Sequence, residues 1–208
     1  MSLVRTVINP LKEAQGLVAV AIIVVASLLL VGCQQVAVLT MNQMVTTEFQ
    51  VVGTKLLMRG EINSRSLGQF EEVYAENPDI DTLVQLDVPG SIDDDVLVAF
   101  GYRVRELGLN THLTARSEVY SGGVDLFLAG VKRTMEPGAT LGVHSWSDGI
   151  KDAQDYPKSA PEHQQNRRYI ERMLGDDTFY WFTIYAASAE DIHIMTEDEI
   201  RRYGLLTN

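Results

Sequence analysis

"VYSGGVDLFLAG", Val119–Gly130, sets a serine and two adjacent glycines directly ahead of an apolar run. Glycine gives up more backbone entropy on ordering than any other residue, so a glycine pair at a helix start implies that something approaches its backbone closely. Two readings fit these residues. Ser121 is either the N-cap of a helix that follows a loose turn, or a nucleophile held where a strand passes into a helix. The neighbouring segments have to separate them.

Upstream, "DTLVQLDVPG" (Asp81–Gly90) reads as a short buried strand broken by Pro89 and Gly90. Before it, "SRSLGQFEEVYAENPDI" puts Leu67, Phe70 and Val73 on one face and closes at Pro78, which predicts a helix over about Ser64 to Glu76. "VVGTKLLMRGEI" (Val51–Ile62) reads as a strand region ending at Gly60. "SIDDDVLVAFGYRVRELGLN" opens on three aspartates suited to a helix N-terminal dipole and ends at Gly108, and "THLTAR" is a further strand. Alternating strand and helix predicts an α/β domain with a parallel sheet and crossover helices, whose sites lie at the carboxyl ends of strands. "DVPGS" and "VYSGG" both fall there. The polar stretch Ser147–Arg168 reads as an excursion running into a helix, and "DDTFYWFTIYAAS" and "TEDEIRRYGLL" add two helices.

The chain of 208 residues, 46% of them hydrophobic, suits one sizeable core preceded by an address. That address is "GLVAVAIIVVASLLLVGC", Gly16–Cys33, in a chain that carries no charge from Ala14 until Glu48. A bilayer core needs about 17 to 25 such residues. The run closes on "LVGC", and Cys33 is the single cysteine. It resembles a bacterial lipobox, with Cys33 lipidated; an ordinary transmembrane helix is the other reading. Residues 1–32 are expected to be a signal peptide or membrane anchor, 33–50 a linker and 51–208 the domain. Because Arg5 and Lys12 precede the run, the domain is expected outside the cytoplasm, tethered in the bacterial envelope. The formal charge of −11 repels phosphate backbones, which argues against nucleic acid as a partner.

Taken in order, "GEI", "LVQLDVPGS", "LGLNTHLTA", "YSGGVDLFLAGVKRTMEPGATLGVHS" and "IMTEDEIRRYGLL" resemble the Clp protease proteolytic subunit of the Clp/crotonase superfamily, and especially its membrane-associated bacterial relatives, over about Gly53 to Thr207. The resemblance implies a serine peptidase acting through an acyl-enzyme on peptide or protein, without a cofactor or metal, and a homo-oligomer. It implies Ser121 as nucleophile, His144 as its base and Asp191 as the acid orienting the imidazole, with the amides of Gly122 and Ser91 at the oxyanion. A serine hydroxyl is a weak nucleophile until an imidazole takes its proton, and the imidazole needs an acceptor on its other nitrogen to hold the right tautomer.

Three departures stand out. Pro89-Gly90-Ser91 replaces the family's Pro-Gly-Gly; glycine follows Ser121; and Asp125 interrupts an otherwise apolar helix. Alignment on Tyr203 shifts Asp191 by one residue, which leaves Asp148 in "WSDG" as a competing acid. His112 and His163 read as structural or solvated, Asp191 with His193 as a poor metal pair, and Tyr180–Phe182 as core or interface. The altered loop admits a second class of function, a catalytically degenerate binding or assembly module. Crotonase-like binding of an acyl thioester is a third, which the extracytoplasmic address disfavours.

Overall fold

A computed structural model describes residues 47–207. The apolar run and Cys33 lie outside the described residues, and no described helix is long and apolar enough to cross a membrane. Strands β1 (Glu48–Val52) and β2 (Lys55–Arg59) form an antiparallel hairpin, turned at Gly53 with φ 61°. The sheet therefore begins inside the stretch expected as linker, and the single strand region expected there is a hairpin.

Helix α1 (Ser66–Glu76) follows, burying Phe70, and then β3 (Thr82–Val88). Helix α2 (Asp94–Glu106) is capped by the Asp93 side chain, which accepts from Val96 N, and has Asp94 and Asp95 in its first turn, where the helix dipole favours acids. Strand β4 (Asn110–Tyr120) runs well past the expected "THLTAR" and delivers helix α3 (Gly122–Leu128). Strands β5 (Arg133–Met135) and β6 (Thr140–Val143) come next. The polar excursion holds two 3₁₀ turns, Ala153–Asp155 and Pro161–His163, and enters helix α4 (Gln164–Leu174). Helix α5 (Thr178–Ala186), strand β7 (His193–Ile194) and helix α6 (Glu197–Arg202) complete the chain.

The sheet order is β1-β2-β3-β4-β6-β7, with β5 also on β4. Its interior pairs are parallel, as the alternating pattern predicts, while both edges are antiparallel. Strand β4 serves two neighbours in succession: Thr111–Leu113 pair with β5 and Glu118–Tyr120 with β6. Between them its register on β3 jumps, from Gln85 opposite Leu113 to Asp87 opposite Glu118. The buried Ser117 hydroxyl holds this irregularity by donating to Gln85 O at 2.6 Å and accepting from Thr114 N at 2.9 Å. An irregularity of this kind bends a strand and re-aims its end, here toward the gap between β3 and β6.

Helix α3 packs on the ends of β3 and β4 through Val124, Leu126, Phe127 and Leu128, all buried. It lies so close that a Cβ on Gly123 would stand 2.8 Å from Val88 O. We expect Gly123→Ala to lower the unfolding free energy in urea by about 1–3 kcal/mol, because a backbone atom cannot move aside as a flexible side chain can. Gly68→Ala, in open space within α1, is expected to raise it by about 0.5–1 kcal/mol through helix propensity alone. A neutral Gly123→Ala would show that the helix can lift off the sheet.

Candidate active site

Ser121 ends β4 and precedes α3 with φ 52° and ψ −128°, and among the described residues no other non-glycine has a positive φ. A residue with a Cβ is held there only against strain, of order 1–3 kcal/mol. Three contacts enforce the turn. Ser121 N donates to Gly142 O of β6 at 2.8 Å, Val124 N donates to Ser121 O at 2.8 Å, and Gly90 faces the serine side chain. A Cβ on Gly90, whose φ is 148°, would sit 3.1 Å from Ser121 Cβ. The glycine pair thus has the reason its sequence implied: a Cβ on Gly122 would meet Ser91 Cβ at 2.7 Å and Ser91 N at 3.1 Å.

The same approach brings two backbone amides together. Neither Ser91 N–H nor Gly122 N–H donates to an acceptor among the described residues, although Ser91's neighbours are paired, Ile62 N with Gly90 O and Ile92 N with Ile62 O, each at 2.9 Å. Serine is tolerated in the Pro-Gly-Ser loop because Gly90 alone carries the left-handed φ. The Ser91 hydroxyl is turned onto its own loop, donating to Asp93 O at 3.0 Å and accepting from Asp93 N at 3.1 Å.

Residue His144 follows β6 directly, so Ser121 and His144 come from the ends of paired strands. Ser121, Gly122, Ser91 and His144 line one cavity of about 440 Å³, a size typical of small-molecule and side-chain sites. His144 Nδ1 is buried and without a hydrogen-bond partner. No hydrogen bond joins Ser121 Oγ to His144 among the described residues.

No hydrogen bond joins Asp191, the expected acid, to His144 among the described residues. Strand β7 brings its segment alongside β6, with Val143 opposite His193, but Asp191 is exposed and its Oδ1 accepts from Ile192 N at 2.8 Å. Ile192 instead fills the neighbouring space, its Cγ2 2.8 Å from where a Gly142 Cβ would stand. No hydrogen bond joins Asp148 to His144 either. Asp148 caps an exposed turn, taking bonds from Ile150 N, Lys151 N and the Tyr156 hydroxyl, which hold its carboxyl below the usual range.

The remaining histidines are structural. His112 Nδ1 bonds Thr134 Oγ1 at 2.8 Å across β4–β5, and His193 pairs with Glu199 at 3.0 Å. His163 is buried, with Nδ1 2.7 Å from the Tyr180 hydroxyl. Trp146 Nε1 donates to the same hydroxyl at 3.0 Å. Burial pushes the Tyr180 phenol up to about 12. It lines the cavity as a neutral group.

The sequence reading missed Asp125 as a cavity residue. It stands one helical turn after Ser121 on α3, so both face the same space. Burial, with a smaller contribution from the charge of Asp94, lifts its carboxyl from 3.8 to about 7. Asp94 on α2, Asn166 on α4, and Trp146 and Tyr180 also line the cavity. The signal was present as a lone acid on an apolar helix at i+4 from the serine.

No family profile and no curated protein matches the chain by sequence. Solved structures do match it. A variant of the 1510-N membrane-bound stomatin-specific protease aligns with TM-score 0.51 and 18% identity over 72% of this chain and 75% of its own. ClpP1 from Listeria monocytogenes aligns at 0.54 and 15% over 74% and 88%, and a peptidase from Plasmodium falciparum at 0.53 and 12% over 74% and 94%. The chain has the Clp/crotonase fold.

Because the folded state binds the Asp125 proton more tightly than the unfolded chain does, its contribution favours folding at low pH and is lost as pH rises from the ordinary carboxylate range through about 7. Burial and then the charge of Asp94 from α2 set that balance, with His144 after β6, and Tyr169 and Tyr180 from α4 and α5, the other titratable groups nearby. Thermal melts should show Asp125→Asn matching the wild type near pH 4 and exceeding it increasingly up to pH 8, by about 2–4 °C for each kcal/mol recovered. Equal melting points at both pH values would mean that the carboxyl titrates normally.

Proposed function

We propose that the chain is a membrane-anchored, extracytoplasmic serine hydrolase, a Clp-like peptidase acting on peptide or protein substrates through an acyl-enzyme. The observation that carries this reading is the strained turn at Ser121, which presents its hydroxyl to a cavity beside His144 and two undonated backbone amides. Strained strand-to-helix turns of this kind expose nucleophilic serines.

In the proposed reaction His144 takes the Ser121 proton as Oγ attacks the substrate carbonyl. The carbonyl electron pair moves onto oxygen, where the Ser91 and Gly122 N–H groups meet it. Collapse of that intermediate breaks the C–N bond, and the protonated imidazole gives its proton to the departing amine. Water, deprotonated by the same ring, then releases the acyl group and restores Ser121. No step needs a metal or cofactor.

An imidazole without an acceptor on Nδ1 loses tautomer selection, which in a full triad is worth roughly 10⁴ in turnover. Ser121 and His144 therefore act as a slow dyad, and Asp191 has no part in the chemistry. The unpartnered Nδ1 also favours the second reading, a degenerate envelope protein that binds or assembles without turnover. The anchor at Gly16–Cys33, the lipid on Cys33 and a homo-oligomeric assembly belong to the same proposal.

A fluorophosphonate probe should attach at Ser121, and His144→Ala should slow attachment by about 10²-fold or more. Asp191→Asn should leave the rate within about threefold, since its carboxylate bonds the Ile192 amide and makes no hydrogen bond to the ring. Intact-protein mass spectrometry reads the wild type and both variants. Absence of adduct on the wild type would favour the degenerate module, and a collapse in Asp191→Asn would restore the triad.

For the address, fatty-acid incorporation should occur in the wild type and vanish in Cys33→Ala. A wild type that takes up no lipid and keeps its unprocessed mass would leave a plain transmembrane anchor.

A further inference from the structure

The cavity beside Ser121 is lined by two acidic side chains, Asp94 and Asp125, and by no basic one. The Asp125 carboxylate receives no hydrogen bond among the described residues; the Tyr169 hydroxyl, which packs against it, donates instead to Asp125 backbone O at 2.8 Å. Asn166 uses its Nδ2 on Asp94 Oδ2 at 3.1 Å, which leaves Asn166 Oδ1, a fully buried atom, unpartnered. Neither lysine nor arginine lines the cavity. Two carboxyl groups thus line a partly enclosed space that holds no cationic side chain to balance them, in a chain of formal charge −11.

A buried polar group without a partner is costly. A cavity lined by one sign of charge also concentrates its field. Both costs are relieved by one ligand, a long apolar stem with a cationic head: the stem lies along the cavity wall and the head brings donors to the acceptors. Asp125, one turn beyond the nucleophile on the same helix, is placed to meet the side chain of the residue whose carbonyl Ser121 attacks.

We infer that Asp94, Asp125 and Asn166 form a specificity subsite for a lysine or arginine side chain, so that cleavage follows a basic residue. The substrate assignment rests on Ser121 being the acylated residue; the cation site itself does not. Asp125 ionises on binding, so affinity for the cation rises between pH 6 and pH 8. Asp94, His144, Tyr169 and Tyr180 are the titratable groups facing it.

The test uses the full chain in a Trp181→Phe background, where Trp146 in the cavity wall is the one remaining tryptophan. Its fluorescence is followed while n-butylammonium, n-butanol or Ca²⁺ is added at pH 8. We expect butylammonium to bind at least about tenfold more tightly than butanol, and Asp125→Asn to remove the difference, as loss of a charge-assisted bond would. Asp94→Asn, at the exposed end, should weaken it less and serves if Asp125→Asn folds poorly. Equal binding of amine and alcohol, or tighter binding of Ca²⁺ than of the amine, overturns the subsite.

Diphenyl phosphonates carrying a lysine or a norleucine side chain then separate the two claims. Faster labelling of Ser121 by the lysine reagent supports both. Labelling with no preference overturns the substrate assignment and spares the nucleophile. Retained amine binding without labelling overturns the hydrolase and keeps the cation site.

Discussion

The first turn of α3 cannot move away from the sheet, and the rest of the site follows from that. Val88 O stands 2.8 Å from where a Gly123 Cβ would be, and Ser91 Cβ 2.7 Å from where a Gly122 Cβ would be, so strand, loop and helix meet backbone to backbone. Ser121 sits between them and is forced to φ 52°. A strained residue persists only where its surroundings over-determine it. Here they do so from three directions, because the Ser121 amide is also tied to β6 and its side chain is stopped by Gly90. The contact that strains the serine also brings the two amides beside it.

That interlock requires β4 to arrive at the correct angle. The Ser117 hydroxyl reaches across to Gln85 O where the register jumps, and beyond it β4 leaves β5 and joins β6. Without that change of neighbour, His144 would not come from the strand next to Ser121. The carboxyl terminus depends on buried packing of another kind. Arg133, at the start of β5, donates to Gly130 O, Gly204 O and Leu205 O. The "YGLL" segment, which carried much of the resemblance, is therefore held by a guanidinium and contributes fold. It brings no carboxylate to His144.

Much of this was legible because it is local. Helix α1, the Asp-rich start of α2 and the strand before Pro89 were readable from spacing and breakers, since each is set by residues a turn or two apart. The glycine pair was readable as a close approach, though what approached was not. Strand β4 was cut short because Thr114–Glu118 lose the apolar alternation at the very place where the strand bends. The β1–β2 hairpin was merged into one strand because a Gly-Thr turn between two apolar runs is a weak punctuation mark. The triad acid failed for a different reason. Asp191 was implied by the resemblance alone; β7 does run alongside β6, but Asp191 stands two residues before it, where its carboxylate accepts from Ile192 N and the Ile192 side chain packs on Gly142, an arrangement no local pattern encodes. Asn166 was invisible, since it reaches the cavity from α4 across the sheet's end.

The electrostatics of the cavity bear directly on the proposed chemistry. Asp94 and Asp125 oppose a developing oxyanion, while the Ser91 and Gly122 amides favour it. With the cavity empty, Asp125 holds its proton up to about pH 7, so the opposition is largely withdrawn below neutrality. A cationic side chain changes the balance: it draws Asp125 into its ionised form and cancels the charge it creates, leaving the amides' field at the oxyanion intact. Above neutrality, an acidic cavity beside an oxyanion site thus favours turnover of a substrate that carries the compensating charge. On the proposed reading, specificity and rate are then one effect, because the group that is recognised also removes the repulsion that would otherwise slow attack.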